Sequence, residues 1–97
     1  MDESTVREHA EAHGQAMAGG DVNRAAQDLT EDARVQAGPV MKALPRPITS
    51  AEVLDVRTDA EVVVVNILYS GTDSKATVES RWADVDGKPM IVGLQTI

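Results

Sequence analysis

The chain has 97 residues, 42% of them hydrophobic and 26% charged, which is the size and composition of one globular domain covering residues 1–97. Its formal net charge of -7 argues against nucleic acid and anionic membrane surfaces as partners, because like charges repel at long range. The absence of cysteine excludes disulfides, catalytic thiolates and cysteine metal sites.

The chain also lacks the residues that large flat ligands and membranes require. Its two aromatic residues, Tyr69 and Trp82, are too few for a base-stacking surface or for a cofactor such as a flavin, so we expect no cofactor. The N-terminus is acidic where a secretory signal is basic, and the longest apolar run, Val62–Val65, is far too short to cross a membrane. These features predict a cytoplasmic protein.

Helical periodicity marks the first third of the chain. Thr5, followed three residues later by Glu8, forms a capping-box pattern that predicts the start of a helix. Gly19 and Gly20 predict its left-handed end. One narrow side of this helix is apolar apart from a histidine and consists of Val6, Ala10, His13 and Met17.

A second helix is predicted after the glycine pair, with Asp21 as its N-cap. Its apolar positions are Val22, Ala25, Ala26 and Leu29. Beyond it, the segment Arg34–Ala37 fits a short strand. An irregular connection is predicted to follow, because glycine and proline interrupt regular structure at Gly38, Pro39, Pro45 and Pro47.

Strand periodicity begins at Ser50 and predicts a meander of hairpins with turns at 57–61, at 70–74 and at Asp86-Gly87. Asp-Gly between alternating apolar residues is a two-residue primed turn, so the last turn fixes the register of the final hairpin. The predicted fold class is therefore α+β, with N-terminal helices packed on a curved antiparallel sheet.

The turns predict which residues lie opposite each other. In the last hairpin the predicted pairs are Val85 with Lys88, Trp82 with Ile91, Arg81 with Val92, and Glu79 with Leu94. In the hairpin before it they are Tyr69 with Ala76, Ile67 with Val78, and Val63 with Trp82.

This register divides the sheet into an inner face, which the helices cover, and an outer face. The inner face is nearly all apolar and collects Leu54, Val56, Val63, Val65, Ile67, Tyr69, Val78, Trp82 and Ile91. Its polar members are predicted to be Ser80, Asp84 and Gln95.

The outer face mixes charged and aliphatic side chains: Asp55, Arg57, Val62, Val64, Asn66, Leu68, Glu79, Arg81, Ala83, Met90, Val92 and Leu94. Exposed together, its aliphatic members would make a patch of several hundred square ångströms, on the order of the largest patches that monomers expose. We therefore expect a homodimer through this face, with Asp55, Arg57, Glu79 and Arg81 forming ion pairs in or around it.

The order of these elements resembles the nuclear transport factor 2-like superfamily, which includes polyketide-cyclase-like and ketosteroid-isomerase-like proteins. The resemblance rests on the capped helix, the Gly-Gly-Asp corner, a short helix ending in Leu29-Thr30-Glu31-Asp32-Ala33, and a curved meander ending in Arg81-Trp82-Ala83-Asp84. It implies a cystatin-like cone, in which the sheet wraps a helix around a pocket. Superfamily members include isomerases, hydrolases, dehydratases and binding modules, so the fold leaves the activity open. The chain is shorter than larger members and is expected to lack the additional helix that walls their cavity.

Two residues are candidate acid-base groups. His13 lies in the apolar stripe of the first helix and should point at the inner face, where it either transfers protons or bonds a carbonyl in a filled core. Asp84 lies near the end of its strand beside Trp82, either at a pocket mouth or solvated beside the last turn. His9 is one turn from His13, a spacing that can share a metal, but no further ligand follows, so we expect no metal site.

The candidate ligand-binding residues are His9, Tyr69, Ser80, Trp82 and Gln95. Two function classes remain open. One is a non-catalytic or weakly binding homodimer of the nuclear transport factor 2-like type. The other is an isomerase or hydratase that acts on a small apolar carbonyl compound, with His13 and Asp84 as acid-base groups. A protein partner of a larger enzyme is a third possibility.

Overall fold

The computed structural model describes all 97 residues, from Met1 to Ile97, as three helices followed by four strands. The helices are α1 (Glu3–Ala18), α2 (Val22–Ala26) and α3 (Glu31–Ala43), and the strands are β1 (Ser50–Asp59), β2 (Val62–Ser70), β3 (Lys75–Val85) and β4 (Lys88–Thr96). The strands form one curved, open, antiparallel sheet in the order β1-β2-β3-β4. The predicted fold class is confirmed, and it is compatible with the cone that the resemblance implies.

Helix α1 begins earlier than the sequence pattern predicted. The N-cap is Asp2, whose carboxylate accepts the backbone N–H of Thr5 at 2.7 Å, and Glu3 is already helical. Thr5 therefore lies inside the helix, because the cap is three residues earlier and Asp2 accepts one of the free N–H groups of the first turn, that of Thr5. The predicted end is confirmed, since Gly20 has a φ of 80° in the left-handed region that favours glycine.

Helix α3 corrects the prediction of a strand at Arg34–Ala37 and of an irregular connection after it. Thr30 caps the helix by accepting the N–H of Ala33, and Glu31 and Asp32 in the first turn complement the helix dipole. The buried or half-buried positions follow helical spacing and are Ala33, Ala37, Val40, Met41 and Leu44. This helix is the wall that the sequence was expected to lack.

Proline is tolerated inside α3 because the missing hydrogen bond falls on the side of the helix that faces solvent. Pro39 has no N–H to donate to the carbonyl of Val35, and Val35 is 82% exposed. Packing of the apolar side of α3 along β4 outweighs this lost bond.

The predicted hairpins are confirmed, and so are the pairs Tyr69–Ala76, Ile67–Val78, Val63–Trp82, Trp82–Ile91 and Val85–Lys88. The first turn is shorter than predicted, because β1 continues to Asp59 and only Ala60 and Glu61 connect it to β2. Two bulges change the rest of the predicted register. The first is at Leu54, whose side chain was predicted on the inner face and is instead 50% exposed.

The second bulge makes Val92 an extra residue in β4 and reverses the faces that follow it. Arg81 pairs with Gly93, and Glu79 pairs with Gln95, so both predicted partners were wrong. Leu94 consequently lies opposite Ser80 on the inner face, and Gln95 lies on the outer face. Both residues had been predicted on the opposite sides.

The junction between α2 and α3 is hydrogen-bonded to β4. Ile91 donates its backbone N–H to the carbonyl of Asp28 at 2.7 Å and accepts the N–H of Thr30 at 3.0 Å. Further along the strand, Leu94 donates its N–H to Oε1 of Gln36 at 2.8 Å. These bonds occupy backbone groups at the free edge of β4 and fix the position of Asp28.

The core lies between the inner face and the helices, with α1 crossing β1 and β2 and α3 running along β4. Val6, Trp82 and Ile91 are fully buried there, so the predicted inner face is confirmed at its centre. Gly14 lets α1 approach the sheet closely, because a Cβ at this position would lie 3.0 Å from that of Ala51. No helix of the chain is both long enough and apolar enough to cross a bilayer.

Candidate functional site

A cavity of about 110 Å³ lies between α1 and α3, with α2 above it and strands β2, β3 and β4 beneath. Thirteen of its 15 lining residues are hydrophobic, and the two others are His13 and Ser80. The lining side chains come from all three helices and include Met17, Val22, Ala25, Leu29, Val40, Met41, Leu44, Ile67, Tyr69, Val78 and Leu94. The cavity therefore suits an apolar molecule with few polar groups.

His13 enters this cavity from α1 and is held from behind by a buried carboxylate. Its Nδ1 lies 3.0 Å from Oδ2 of Asp28, which follows α2 and is 1% exposed. Arg24, one turn before Asp28, donates Nη1 to both carboxylate oxygens at 3.2 Å. His13, Asp28 and Arg24 thus form a connected row from the cavity to the surface, where Arg24 is partly exposed.

The charge on Asp28 is stabilised by its two neighbours. Burial alone would raise the pKa of this carboxyl, but the hydrogen bond and charge of His13, together with those of Arg24, outweigh burial and lower the pKa. Asp28 is therefore ionised at neutral pH and acts as a hydrogen-bond acceptor toward His13.

Trp82 forms the wall behind His13. The two rings meet edge to face with their centroids 6.1 Å apart. The indole Nε1 of Trp82 donates to Oγ of Ser80 at 2.9 Å, and that hydroxyl donates to the carbonyl of Val65 at 3.1 Å. Ser80 is therefore engaged with Trp82 and Val65, so it is a poor candidate for binding a ligand.

Two polar groups at the cavity remain without a partner in the protein. One is Nε2 of His13, because the only hydrogen bond of that ring is made by Nδ1. The other is the hydroxyl of Tyr69, a residue that is 3% exposed and whose pKa is raised by burial, so that it stays protonated. Neither group is fully buried, since the one fully buried side-chain polar atom of the chain that lacks a hydrogen bond is Oδ1 of Asn66.

The backbone of Tyr69 lies four residues along β2 from Val65, the residue that pairs with Ser80. At the strand rise of roughly 3.3 Å per residue, the Cα atoms of Val65 and Tyr69 are about 13 Å apart.

The structure gathers some of the predicted site residues and separates others. His13, Tyr69 and Ser80 line one cavity, and Trp82 supports His13. Asp84 is exposed, and its Oδ1 accepts the N–H of Gly87 at 2.7 Å, so the predicted meeting of Asp84 with His13 does not occur. The reason is that the Asp86-Gly87 turn, rather than a pocket mouth, occupies the end of β3.

His9 and Gln95 also lie outside the cavity. His9 is half-buried one turn before His13, and no group of three or more His, Cys, Asp or Glu side chains in the chain is placed to hold a metal ion. Gln95 is on the outer face, where its Nε2 donates to Oε2 of Glu79 at 2.7 Å, because the bulge at Val92 turned it away from the helices.

Sequence reasoning missed Asp28 and Arg24. Their spacing of four residues on a helical segment was a signal for an ion pair. The contact with His13, 15 residues away, depends on how α2 crosses α1, and no local pattern encodes that crossing.

The outer face carries the ion pairs predicted for it. Arg57 bridges Asp55 at 2.8 Å and Glu79 at 3.2 Å, and Arg81 lies 3.6 Å from Glu79. Val64 is buried between Arg57 and Arg81, its neighbours on β1 and β3, although it faces away from the helices. The aliphatic part of this face is therefore smaller than expected, since Val64 is covered and Leu94 lies inside.

Comparison of the chain with protein-family models, curated proteins and solved structures found no match.

Proposed function

We propose that this protein binds a small, mostly apolar molecule in the cavity between α1, α2 and α3, with one polar group of the ligand against Nε2 of His13. The observation that carries the proposal is an apolar cavity whose lining includes a buried histidine held by a carboxylate. We further propose that the chain is a short member of the nuclear transport factor 2-like superfamily. The order of helices and sheet, and a cavity between them, support this assignment.

The cavity limits the size of the ligand. An engineered apolar cavity of about 150 Å³ binds benzene, so a cavity of about 110 Å³ suits a ring of this size only if side chains yield slightly. Met17 and Met41 line the cavity and are unbranched and flexible, which allows such an adjustment. With this adjustment, the cavity accepts a ligand of about six to seven non-hydrogen atoms.

Binding is tested with cyclohexanol as the probe and the ¹³C-labelled methyl groups of Met17 and Met41 as reporters. We expect saturable shifts of both methyl signals. Ala37→Leu fills the cavity from α3 and should abolish them, whereas Ala43→Leu, on an exposed position of the same helix, should not. Unshifted methyl signals, or equal shifts in Ala37→Leu and the parent, would refute the proposed function.

A second candidate is the isomerase or hydratase reaction on a small apolar carbonyl compound, with His13 as the acid-base group. The pairing of His13 with buried Asp28 favours it, because a carboxylate that holds Nδ1 leaves Nε2 to take a proton and stabilises the imidazolium that forms. Asp84 takes no part in this version.

This catalytic candidate is tested by exchange of the α-hydrogens of cyclohexanone in D₂O, followed by proton NMR. The step removes a proton from the α-carbon to Nε2 and leaves the electron pair in an enolate, which takes deuterium on return. We expect exchange above the buffer rate that His13→Gln removes and His9→Gln retains. An exchange rate that is the same with and without protein would eliminate the catalytic candidate and leave binding intact.

We also propose self-association through the outer face, as expected from the sequence. Half-buried Val62, Leu68 and Val92 beside the ion pairs of Arg57 and Glu79 support it. Sedimentation velocity at about 100 μM should give a dimer for the parent and a monomer for Leu68→Asp, and Val35→Asp on exposed α3 is the control. A monomeric parent would exclude this proposal.

A further inference from the structure

We infer that Asp28 sets the hydrogen-bonding polarity of the cavity: when the His13 ring is neutral, Asp28 holds its one proton on Nδ1, so that Nε2 is an acceptor and the ligand group that meets it is a hydrogen-bond donor. The inference rests on the proposed function and deepens it by naming the ligand class, a small alcohol or phenol rather than a ketone or ether.

The donors and acceptors around Asp28 fix this arrangement. An ionised carboxylate can only accept hydrogen bonds, and both oxygens of Asp28 already accept one from Nη1 of Arg24 at 3.2 Å. Oδ2 also lies 3.0 Å from Nδ1 of His13, so the proton between them belongs to the imidazole. A neutral imidazole carries one ring proton, which leaves Nε2 with a lone pair.

The surroundings of His13 make the position of its ring proton important for ligand binding. The nearby cavity wall is apolar, and Ser80 is already engaged by Trp82, so it offers no alternative partner to a ligand. A ketone would place its oxygen lone pair against the lone pair of Nε2, leaving both acceptors unsatisfied. A hydroxyl group would donate to Nε2. We expect cyclohexanol to bind about tenfold more tightly than cyclohexanone.

Asp28→Asn should change Nε2 of His13 from a hydrogen-bond acceptor to a donor. Arg24 can only donate, so the new amide oxygen stays with Arg24 and the amide nitrogen faces Nδ1 of His13. The amide N–H then donates to Nδ1, and the imidazole proton moves to Nε2. In this variant the preference for cyclohexanol should fall to parity or invert in favour of cyclohexanone.

The first experiment measures the tautomer directly by ¹⁵N NMR of the imidazole nitrogens at pH 8, with His9→Gln used to leave His13 as the single histidine. The expected spectrum shows Nδ1 protonated and Nε2 unprotonated. A proton on Nε2, or an imidazolium, would overturn the inference without any variant at Asp28 having to fold.

The second experiment titrates cyclohexanol and cyclohexanone against the methyl signals of Met17 and Met41 in the parent, in Asp28→Asn and in Asp73→Asn. Asp73 is exposed in a turn and serves as the matched control, which should keep the tenfold preference. Equal affinities in the parent, or an unchanged preference in a folded Asp28→Asn, would overturn the inference while leaving the cavity a binding site. If neither probe shifts the methyl signals, the proposed function itself fails.

Discussion

Trp82 donates its indole N–H to Oγ of Ser80, two residues earlier on the same strand, over 2.9 Å in a fully buried setting. Ser80→Ala removes the acceptor and leaves the indole N–H without a partner, a loss of about 1–3 kcal/mol in the free energy of unfolding. Urea denaturation followed by the fluorescence of this single tryptophan measures it. Ser74→Ala, on an exposed turn, should change the free energy by less than about 0.5 kcal/mol, and a similar loss in both variants would contradict the assignment.

Stability should fall in acid in a way that depends on Asp28. The folded-state pKa of this carboxyl lies below its ordinary value of 3.8, so well above pH 3.8 both states are ionised and the contribution is complete. As the pH falls through 3.8, the unfolded state binds a proton first, and stability is lost progressively down to the folded-state pKa.

Urea titrations between pH 6 and pH 2.5 on the parent and on Asp28→Asn isolate this contribution, because other carboxyl groups are common to both proteins. We expect Asp28→Asn to be less stable by about 1–3 kcal/mol at pH 6, with the difference narrowing below pH 3.8. A difference that is constant across this range would show that the charge of Asp28 contributes nothing to folding.

Two glycine replacements test the surroundings of the helices. Gly38 lies inside α3, and a Cβ there meets nothing within 4 Å, so Gly38→Ala should stabilise the protein by about 0.5–1 kcal/mol.

Gly71 gives the opposite expectation. A Cβ at Gly71 would lie 2.5 Å from Pro45 Cβ and 2.8 Å from Pro47 O, so Gly71→Ala must displace the segment from Pro45 to Pro47 and should destabilise the protein. Thermal unfolding compares the two, and a lower Tm for Gly38→Ala would argue against α3.

Local chemistry explains why the sheet was largely predictable. The Asp86-Gly87 turn and the alternation of inward and outward residues in β3 leave one register that buries Trp82, and that register is present. The bulge at Val92 was not predicted, although the isolated Gly93 beside it in an otherwise regular strand is a signal for a bulge. One residue then reversed the faces of Leu94 and Gln95.

Helix α3 was missed for a different reason. Gly38 and Pro39 oppose helix formation locally, but the apolar positions from Ala33 to Leu44 pack on β4 and outweigh that preference. His13 was found because it interrupts an apolar stripe. Its partner Asp28 was missed because only the tertiary arrangement of α1 and α2 brings the two side chains together.

Leu94 provides a test of the bulge and of the cavity together. Leu94→Ala removes a half-buried side chain from the inner face, so the free energy of unfolding should fall by about 1–2 kcal/mol, and the cavity should grow beside Ser80 and Val78. Cycloheptanol, one methylene larger than cyclohexanol, should then gain affinity relative to the parent, measured at the methyl signal of Met41. Val92→Ala is the control, because Val92 lies in the bulge and does not line the cavity. If Val92→Ala instead admits the larger ring and Leu94→Ala does not, the register without a bulge is correct and Leu94 belongs on the outer face.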